Sequence, residues 1–517
     1  MDERAESAPA DIVPGLLSST LEAARIGVRV GAGTSCTFSP PEPGVAANAS
    51  PKKLSGGPHP HPPQTFEVRS SGLRDLSSLV GNLHGNDLLI AIERPPPAKN
   101  RALAIGIAGH GFDGDLTSDS TRTDGYVLST DIAPTILRRF GLPVPSEVAG
   151  QAIRAEGTVD AAAVESLGAR LATISERRGP VIGLGLAIWL VGLGLAIGVT
   201  RGRAARFGVK LVGLSIVYLP LLLLLGAALE SAQMVEQVLT IGGAPLLALF
   251  TLLAFSGYRA LAVASGLTVL AYAIDMVAGS PLTSLSLLGP NPGLGVRFYG
   301  IGNELEALLA VLVVAGTGAA LSGFAPSMAA RRAAVVFLAT GLLAAGVFAA
   351  GRFGADVGAA IVLPLGSAAA AAIAARQRRV AVLALAAPLA ALALLALADL
   401  LSGANAHLTR SVLDAGGLGD LGDVAQRRLQ LSAHSFARPI VFLFLPLIAA
   451  LALLAIVRRD LLAAWLHGHR AMRAGLIGAL AATLIGTLAN DSGALLLEIG
   501  TAYLLVFTAF VWAEAGH

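Results

Sequence analysis

Beyond Pro180 the chain becomes a succession of apolar stretches, each about as long as a bilayer is thick. A helix needs about 20 consecutive apolar residues to cross the hydrocarbon core. Stretches of that kind lie near 180–199, 211–229, 236–256, 260–279, 303–323, 333–350, 356–375, 380–400, 439–457, 474–489 and 493–513. Lipid offers the backbone no hydrogen bonds, so runs of this length must satisfy their own amides and fold as helices. The expectation is an all-α, multi-pass membrane domain over 179–517 with about eleven transmembrane helices. The division near 257–259 is the least marked of the boundaries.

Composition supports this reading and divides the chain in two. Only 14% of the 517 residues are charged and 54% are hydrophobic, and the mean hydropathy is +0.69. Soluble domains carry about 25% charged residues. The depletion is uneven, because residues 1–178 are rich in Asp, Glu, Arg, Pro and Ser. Segments suited to different solvents imply different domains: 1–178 soluble, 179–517 in the membrane. The formal net charge is only +3, and the bases sit in short inter-helix loops. The lipid bilayer is therefore the expected partner, and nucleic acid is not. A single cysteine, Cys36, excludes an intrachain disulfide and a Cys-rich metal site, and it reads as inert. Residues 1–14 are acidic and lack an apolar core, so no signal peptide is expected at this start.

The positive-inside rule orients the spans. Alternate loops carry Arg201, Arg203, Arg206 and Lys210; Arg259; Arg331 and Arg332; Arg376, Arg378 and Arg379; and Arg458, Arg459, Arg470 and Arg473. The short loops between them hold few bases, notably Arg297 and Arg352, while the long loop 402–438 mixes its arginines with acids and histidines. This places 1–178 outside the cell and the C-terminus in the cytoplasm of a plasma-membrane protein.

Within the soluble region, 87–92 and 102–107 are short apolar runs that read as buried strands. Pro95, Pro96 and Pro97 must be loop. Residues 16–25 and 26–30 read as helix, then strand. A further helix opens at Asp131 as its cap and stops at Gly141. Alternating helices and strands indicate an α/β sheet.

The stretch 116–127, followed by Thr130-Asp131-Ile132-Ala133-Pro134-Thr135-Ile136-Leu137 and Phe140-Gly141-Leu142-Pro143, resembles the C-terminal part of an alkaline-phosphatase-like fold. The segment is similar to the ends of cofactor-independent phosphoglycerate mutases and sulfatases. The whole chain resembles a group of uncharacterised bacterial envelope membrane proteins in which an extracytoplasmic domain of this fold precedes a polytopic helical domain. Their Arg-Phe-Tyr-Gly-Ile-Gly-Asn-Glu and Asn-Asp-Ser-Gly motifs stand here at 297–304 and 490–493. The resemblance implies a partial alkaline-phosphatase-like domain. Working members need a Ser or Thr nucleophile after the first strand and two metal ions about 4 Å apart. Here the first recognisable strand is 26–30, the nucleophile segment has no counterpart, and no Asp-His pairing occurs in 1–178. The expectation is a truncated or degenerate domain, no catalytic residue, and a divalent metal only where the full phosphatase-like domain exists.

His110, with Asp113 and Asp115 beside it, is the metal candidate of the soluble region, against the simpler reading of a solvated loop. His59 and His61 sit in a Pro-rich linker. The membrane half is more informative. Asp275, Arg297, Glu304, Glu306, Arg352, Asp356, Asp399, Asp491 and Glu498 fall in or beside spans, where each ionised group costs about 2.5–3.5 kcal/mol on insertion scales. All belong to the same face of the predicted topology. Arg297, Tyr299, Asn303 and Glu304 lead into one span, Arg352 and Asp356 into another, and Asn490 and Asp491 into the last. One reading makes them caps and structural ion pairs. The other makes them an outward pocket for an anionic or polar ligand, since Arg can grip phosphate bidentately. The broken segment 289–293 would line that pocket. Loop 402–438 would cover it, or carry an amphipathic surface helix over 418–431.

The functional expectation is a cell-envelope protein handling a phosphorylated, lipid-linked or polymeric substrate at the outer face. The alternatives are a transporter or flippase, and a non-catalytic scaffold. Reporter fusions at Gly150 and Gly417 should report an extracytoplasmic location and a fusion at His517 a cytoplasmic one. A cytoplasmic signal at Gly417 would exclude the eleven-span topology.

Overall fold

The computed structural model describes residues 16–30, 65–94, 102–145, 147–148, 150–199, 202–290, 292, 298–375, 429–439 and 441–515. The described residues up to Ala169, together with Phe298, form one compact unit, and those from Arg170 onward form a second. The composition boundary at 178 thus lies nine residues past the structural one. The cause is a single helix, running unbroken from Ala161 to Val199, whose arginines from Arg170 on bind the second unit.

The first unit is built from three two-stranded pairs rather than one sheet. Strands β1 (Gly27–Val30) and β2 (Thr65–Val68) pair in parallel. Strands β3 (Leu88–Ile92) and β4 (Ile105–Gly109) pair antiparallel, as do β5 (Asp115–Thr117) and β6 (Arg154–Glu156). Only the first pair is parallel, because a parallel pair needs a long crossover whereas β3 and β4 are joined by a short connection. The expected strand at 102–107 lies further on, since β3 sets its register from Leu88↔Gly109 to Ile92↔Ile105. Pro95–97 fall outside the described residues. Among the described residues the three pairs are not joined into one sheet.

A small core joins these pieces. Leu21 on helix Leu16–Ala23, Ile26, and Ile136 and Leu137 on helix Ile132–Arg139 are buried together, with Val28, Phe66 and Ile90 packed against them. Gly141 ends the second helix as its residue type suggests. Its φ of +69 lets Gly141 N–H reach Arg138 O at 3.0 Å and Leu142 N–H reach Leu137 O at 2.9 Å, the paired bonds of a Schellman stop.

Asp131 is the correction here. It stands at the N-cap position but makes no side-chain cap bond. Its fully buried carboxylate instead accepts from Ser118 Oγ (2.7 Å), Ser120 Oγ (2.6 Å), Leu128 N (2.9 Å) and Gln151 N (2.9 Å). One anion therefore ties the loop after β5 to the segment before β6. Such a group is tolerated in the interior because each acceptor direction is filled.

Nine helices among the described residues are long and apolar enough to cross a membrane, ten if Val441–Val457 and Arg459–Trp465, bent by 72°, count as one span. The chain is a multi-pass membrane protein. The expected span at 380–400 lies outside the described residues. Helix Asn303–Phe324 is the most buried span and packs against Tyr258–Val277, Ala330–Phe348, Val357–Ala375, Arg470–Ala489 and Gly493–Glu514. Outward faces carry exposed Leu190, Leu195, Leu253, Leu343, Leu447 and Leu453, as lipid contact requires.

A proline break shows how backbone polarity is managed without water. Pro220, inside helix Arg203–Ala228, cannot donate to the carbonyl four residues earlier. That carbonyl, Ile216 O, accepts from Tyr503 Oη at 3.2 Å. Val217 O accepts from Thr268 Oγ1 at 3.0 Å and Pro220 O from Tyr272 Oη at 3.1 Å. Neighbouring helices thus supply Ile216 O with the donor that Pro220 lacks and add donors to the carbonyls beside it.

Glycines set the closest helix approaches. A Cβ on Gly475 would lie 3.0 Å from Gly318 Cα, and one on Gly478 would lie 2.6 Å from Ala370 Cβ. Small residues are what allow lipid-embedded helices to pack by van der Waals contact. Gly475→Leu should therefore lower the thermal midpoint of the detergent-purified protein, through overpacking of about 1–3 kcal/mol or more. Gly192→Leu, at a position with nothing within 4 Å, should leave the midpoint unchanged. Equal effects of the two substitutions would contradict the seam.

Candidate functional site

The polar residues singled out from the sequence gather at one end of the bundle. Helices Asn303–Phe324, Val357–Ala375 and Gly493–Glu514 begin there, and Tyr258–Val277 and Arg470–Ala489 end there. Asn303 opens the central span and Asn490 closes the helix beside it. Asn303 Nδ2 donates to Asp491 Oδ1 at 3.1 Å. Asn490 Nδ2 donates to Asn303 Oδ1 at 3.3 Å and to Glu306 Oε2 at 2.6 Å, while Ser492 N–H donates to Asn490 Oδ1 at 3.1 Å. The bonds diverge from Asn490, whose amide donates on one side to Glu306, which is 2% exposed, and on the other to Asn303, which passes a donor on to the exposed Asp491 carboxylate.

Glu306 is the hub, although the sequence pattern placed Glu304 in the site and left Glu306 among the general ionisable groups. Position decides this. Glu306 lies one helical turn into the span, facing Asn490 and the bare backbone of Gly358. A Cβ on Gly358 would fall 2.5 Å from Glu306 Oε1. Asp356, 4% exposed, caps the same helix through Ala359 N–H at 3.1 Å, so it performs the structural role that its spacing suggested.

Glu304 looks the other way. Its Oε1 lies 3.5 Å from Arg178 Nη1, and Arg178 Nη2 donates to Gly289 O at 2.8 Å. Arg178 thereby links the broken segment at 289 to the central span. Arg177 lies 3.5 Å from Glu236 and donates to Ser231 O at 2.9 Å, and Arg170 lies 2.9 Å from Glu230. These three arginines were missed because they fall in the stretch read as soluble. Their spacing of seven and eight residues puts them on one helix face, and that was the available signal.

The remaining predicted residues are more dispersed. Arg352 is exposed and its guanidinium lies over the Phe353 ring, 5.9 Å from the centroid. Tyr299 is half-buried before Gly300, whose N–H donates to Ser280 Oγ at 3.0 Å. Arg297, Asp399, Asn291 and most of loop 402–438 lie outside the described residues, as do His59, His61 and Cys36. The end of that loop is helical over 429–435 and docks on the bundle. Ser432 Oγ donates to Thr487 O at 2.7 Å and Ser435 Oγ accepts from Ala494 N–H at 3.0 Å. This segment packs against the break at 490–493, while 418–428 of the expected surface helix lie outside the described residues. Asp275 is purely structural, holding the 282–283 turn through Leu282 N (3.0 Å) and Thr283 N (2.8 Å).

In the first unit, His110 offers its backbone carbonyl to Arg139 at 3.3 Å. Asp115 accepts from Asp160 N–H at 3.1 Å. Among the described residues no three His, Cys, Asp or Glu side chains are gathered as a metal site, so His110, Asp113 and Asp115 are not assembled into one. Two shifted groups mark local packing there. Burial raises the Tyr126 hydroxyl above its ordinary value. The hydrogen bond to Glu156 raises Arg154 further, with Asp119 adding to it.

Chemically, the bundle-end chain is rich in acceptors: carboxylates on Glu306 and Asp491, with both amide N–H groups already engaged. It suits ligand hydroxyls or amines. No protein-family model, curated protein or solved structure matches this chain.

A double-mutant cycle tests the packing of the hub. Gly358→Ala would stabilise an ordinary helix by about 0.5–1 kcal/mol. Here it should destabilise, and Glu306→Ala should relieve that loss with a coupling of roughly 0.5–3 kcal/mol. Strict additivity in thermal unfolding would show that the two residues do not touch.

Proposed function

We propose that this protein handles a phosphorylated, lipid-linked or polymeric substrate at the outer face of the bacterial plasma membrane, with the Asn303–Glu306–Asn490–Asp491 chain as the binding site for the substrate's hydroxyl-bearing part. The observation that carries the reading is the convergence of these four groups from two spans at the bundle end opposite the base-rich loops. Polar groups at membrane depth are costly and mark sites by default. The base-rich ends belong in the cytoplasm, which puts the chain of acceptors outside. Carboxylate and amide pairs recognise sugar hydroxyls, and a phosphate on the same substrate would fall to arginines, for which Arg352 and Arg297 are the candidates. The soluble unit then serves to bind rather than to catalyse.

A second reading, transport, has one observation of its own. Glu498 lies within the last span, and its Oε1 is buried with no hydrogen-bond partner among the described residues. An intramembrane carboxylate of this kind is what proton-coupled carriers employ.

The readings separate in proteoliposomes. On the first, Asp491→Asn and Asn303→Ala should weaken binding of a polyisoprenyl-phosphate-linked sugar by roughly 10-fold or more each, and Glu498→Gln should not. Affinities for that ligand unchanged by both substitutions would discard the proposed site. Flux of the same ligand that depends on a pH gradient and is lost in Glu498→Gln would favour the carrier.

A further inference from the structure

The chain makes an elbow between helices Val441–Val457 and Arg470–Ala489. The first breaks by 72° into the short helix Arg459–Trp465, and Gly468, at φ +82, turns the chain into the second. A segment bent this far from the axis of a span lies close to the membrane plane. It stands at the base-rich end of the bundle, opposite the end where Asn490 meets Asn303. None of the residues of helix Arg459–Trp465 is buried. Leu461, Leu462, Trp465 and Leu466 recur at the spacing of one helix face, and Asp460, the elbow's only acid, falls almost opposite them. Leu461 is 39% exposed, and the other three are half-buried. Arg458 and Arg459 stand at one end of the elbow and Arg470 and Arg473 at the other. All four are exposed, and none has a side-chain hydrogen bond or ion pair among the described residues. Other bases at this end of the bundle are engaged: Lys210 with Glu514, Arg206 over Trp512, and Arg259 with Gly323 O and the Phe324 ring.

We infer that this elbow is a docking surface for acidic phospholipids. Trp465 and its leucines sit at the boundary of headgroups and acyl chains, as the apolar face of an in-plane helix does. The four arginines meet the lipid phosphodiesters. Charge complementarity favours this occupant, because four arginines against Asp460 leave a net charge of +3 over 458–473 with histidine neutral. The apolar face favours it again, since a soluble acidic partner would leave Leu461 and Trp465 uncovered. The surface lies at the far end of the bundle from the Asn303–Asp491 contacts and does not rest on the function proposed for them. The competing account is that these bases merely orient the chain, an effect that depends on how many there are and selects no lipid. Arg331 and Arg332 serve as the comparison. They are exposed at the same end of the bundle, at the start of helix Ala330–Phe348, with no in-plane helix beside them.

The test is native mass spectrometry of the full-length protein in detergent, titrated with phosphatidylglycerol and with phosphatidylcholine. Phosphatidylglycerol should bind the more tightly of the two. The double variant R458Q/R459Q should weaken it roughly 10–30-fold, the loss expected for two bases at an anionic lipid surface. The same variant should bind phosphatidylcholine as the native chain does, which also shows that it is folded. R331Q/R332Q, which removes equal charge from the same end of the bundle, should leave phosphatidylglycerol binding unchanged. Trp465→Ala should weaken it, because the apolar face loses its largest side chain. The inference is overturned if the native protein binds both lipids equally, or if R458Q/R459Q retains native affinity for phosphatidylglycerol. An equal loss in R331Q/R332Q would reduce the elbow to orienting charge. Dimers forming in place of lipid adducts would assign the apolar face to a second copy of the chain.

Discussion

Helix Asn303–Phe324 meets helix Arg470–Ala489 backbone to backbone. At Gly318 and Gly475 the distances that a side-chain carbon would take, 3.1 and 3.0 Å to the opposing Cα, leave no space for one. Gly478 meets Gly366 O and Ala370 in the same way, so Val357–Ala375 joins the seam. In lipid there is no hydrophobic force between helices, and contact this close supplies the dispersion that holds them together. The consequence is positional. With the three axes drawn together, Asn303, Glu306, Gly358 and Asn490 come within hydrogen-bond or van der Waals reach. A larger residue at the seam would separate their ends and with them the chain of polar contacts.

Charge is distributed so that the bundle tolerates what it contains. At the polar end the arginines of the first long helix pair with acids at the ends of other spans: Arg170 with Glu230, Arg177 with Glu236, Arg178 with Glu304. At the opposite end Lys210 meets Glu514 at 2.5 Å, and Arg206 and Arg259 lie over Trp512 and Phe324. Arginine suits such interfacial work because its stem packs on apolar surface while its head stays polar. Glu306 accepts from the Asn490 amide and lies against the backbone of Gly358.

The first unit follows another economy. Its strands are three to five residues long, too short to build a wide sheet, so loops carry much of the organisation. The buried Asp131 carboxylate collects four donors from three loop segments, and Thr135 extends the knot to Ile153 N–H at 2.8 Å. This leaves β6 and the helix Ile132–Arg139 facing a cavity that Arg138, Arg139 and Arg154 line.

Among the described residues, the span positions, the proline and glycine punctuation, and the placing of several polar residues at one end of the helices were legible from the order of residue types. Hydropathy and loop charge act locally, so a single chain displays them: the helices at 303, 357, 470 and 493 begin within a few residues of their expected starts. Strands of this length carry too little pattern, and β2, β5 and β6 went unread for that reason. Which polar residues meet was not legible at all. Asn303 and Asn490 are 187 positions apart, Glu306 rather than Glu304 turned inward, and Arg178 rather than a motif residue was found against Glu304. Those outcomes depend on helix rotation and separation, which glycine contacts between distant segments set. Sequence alone determined that this chain lives in a membrane with its polar groups at one end; only tertiary packing decided their pairings, because a partner across a bundle leaves no periodicity in either helix.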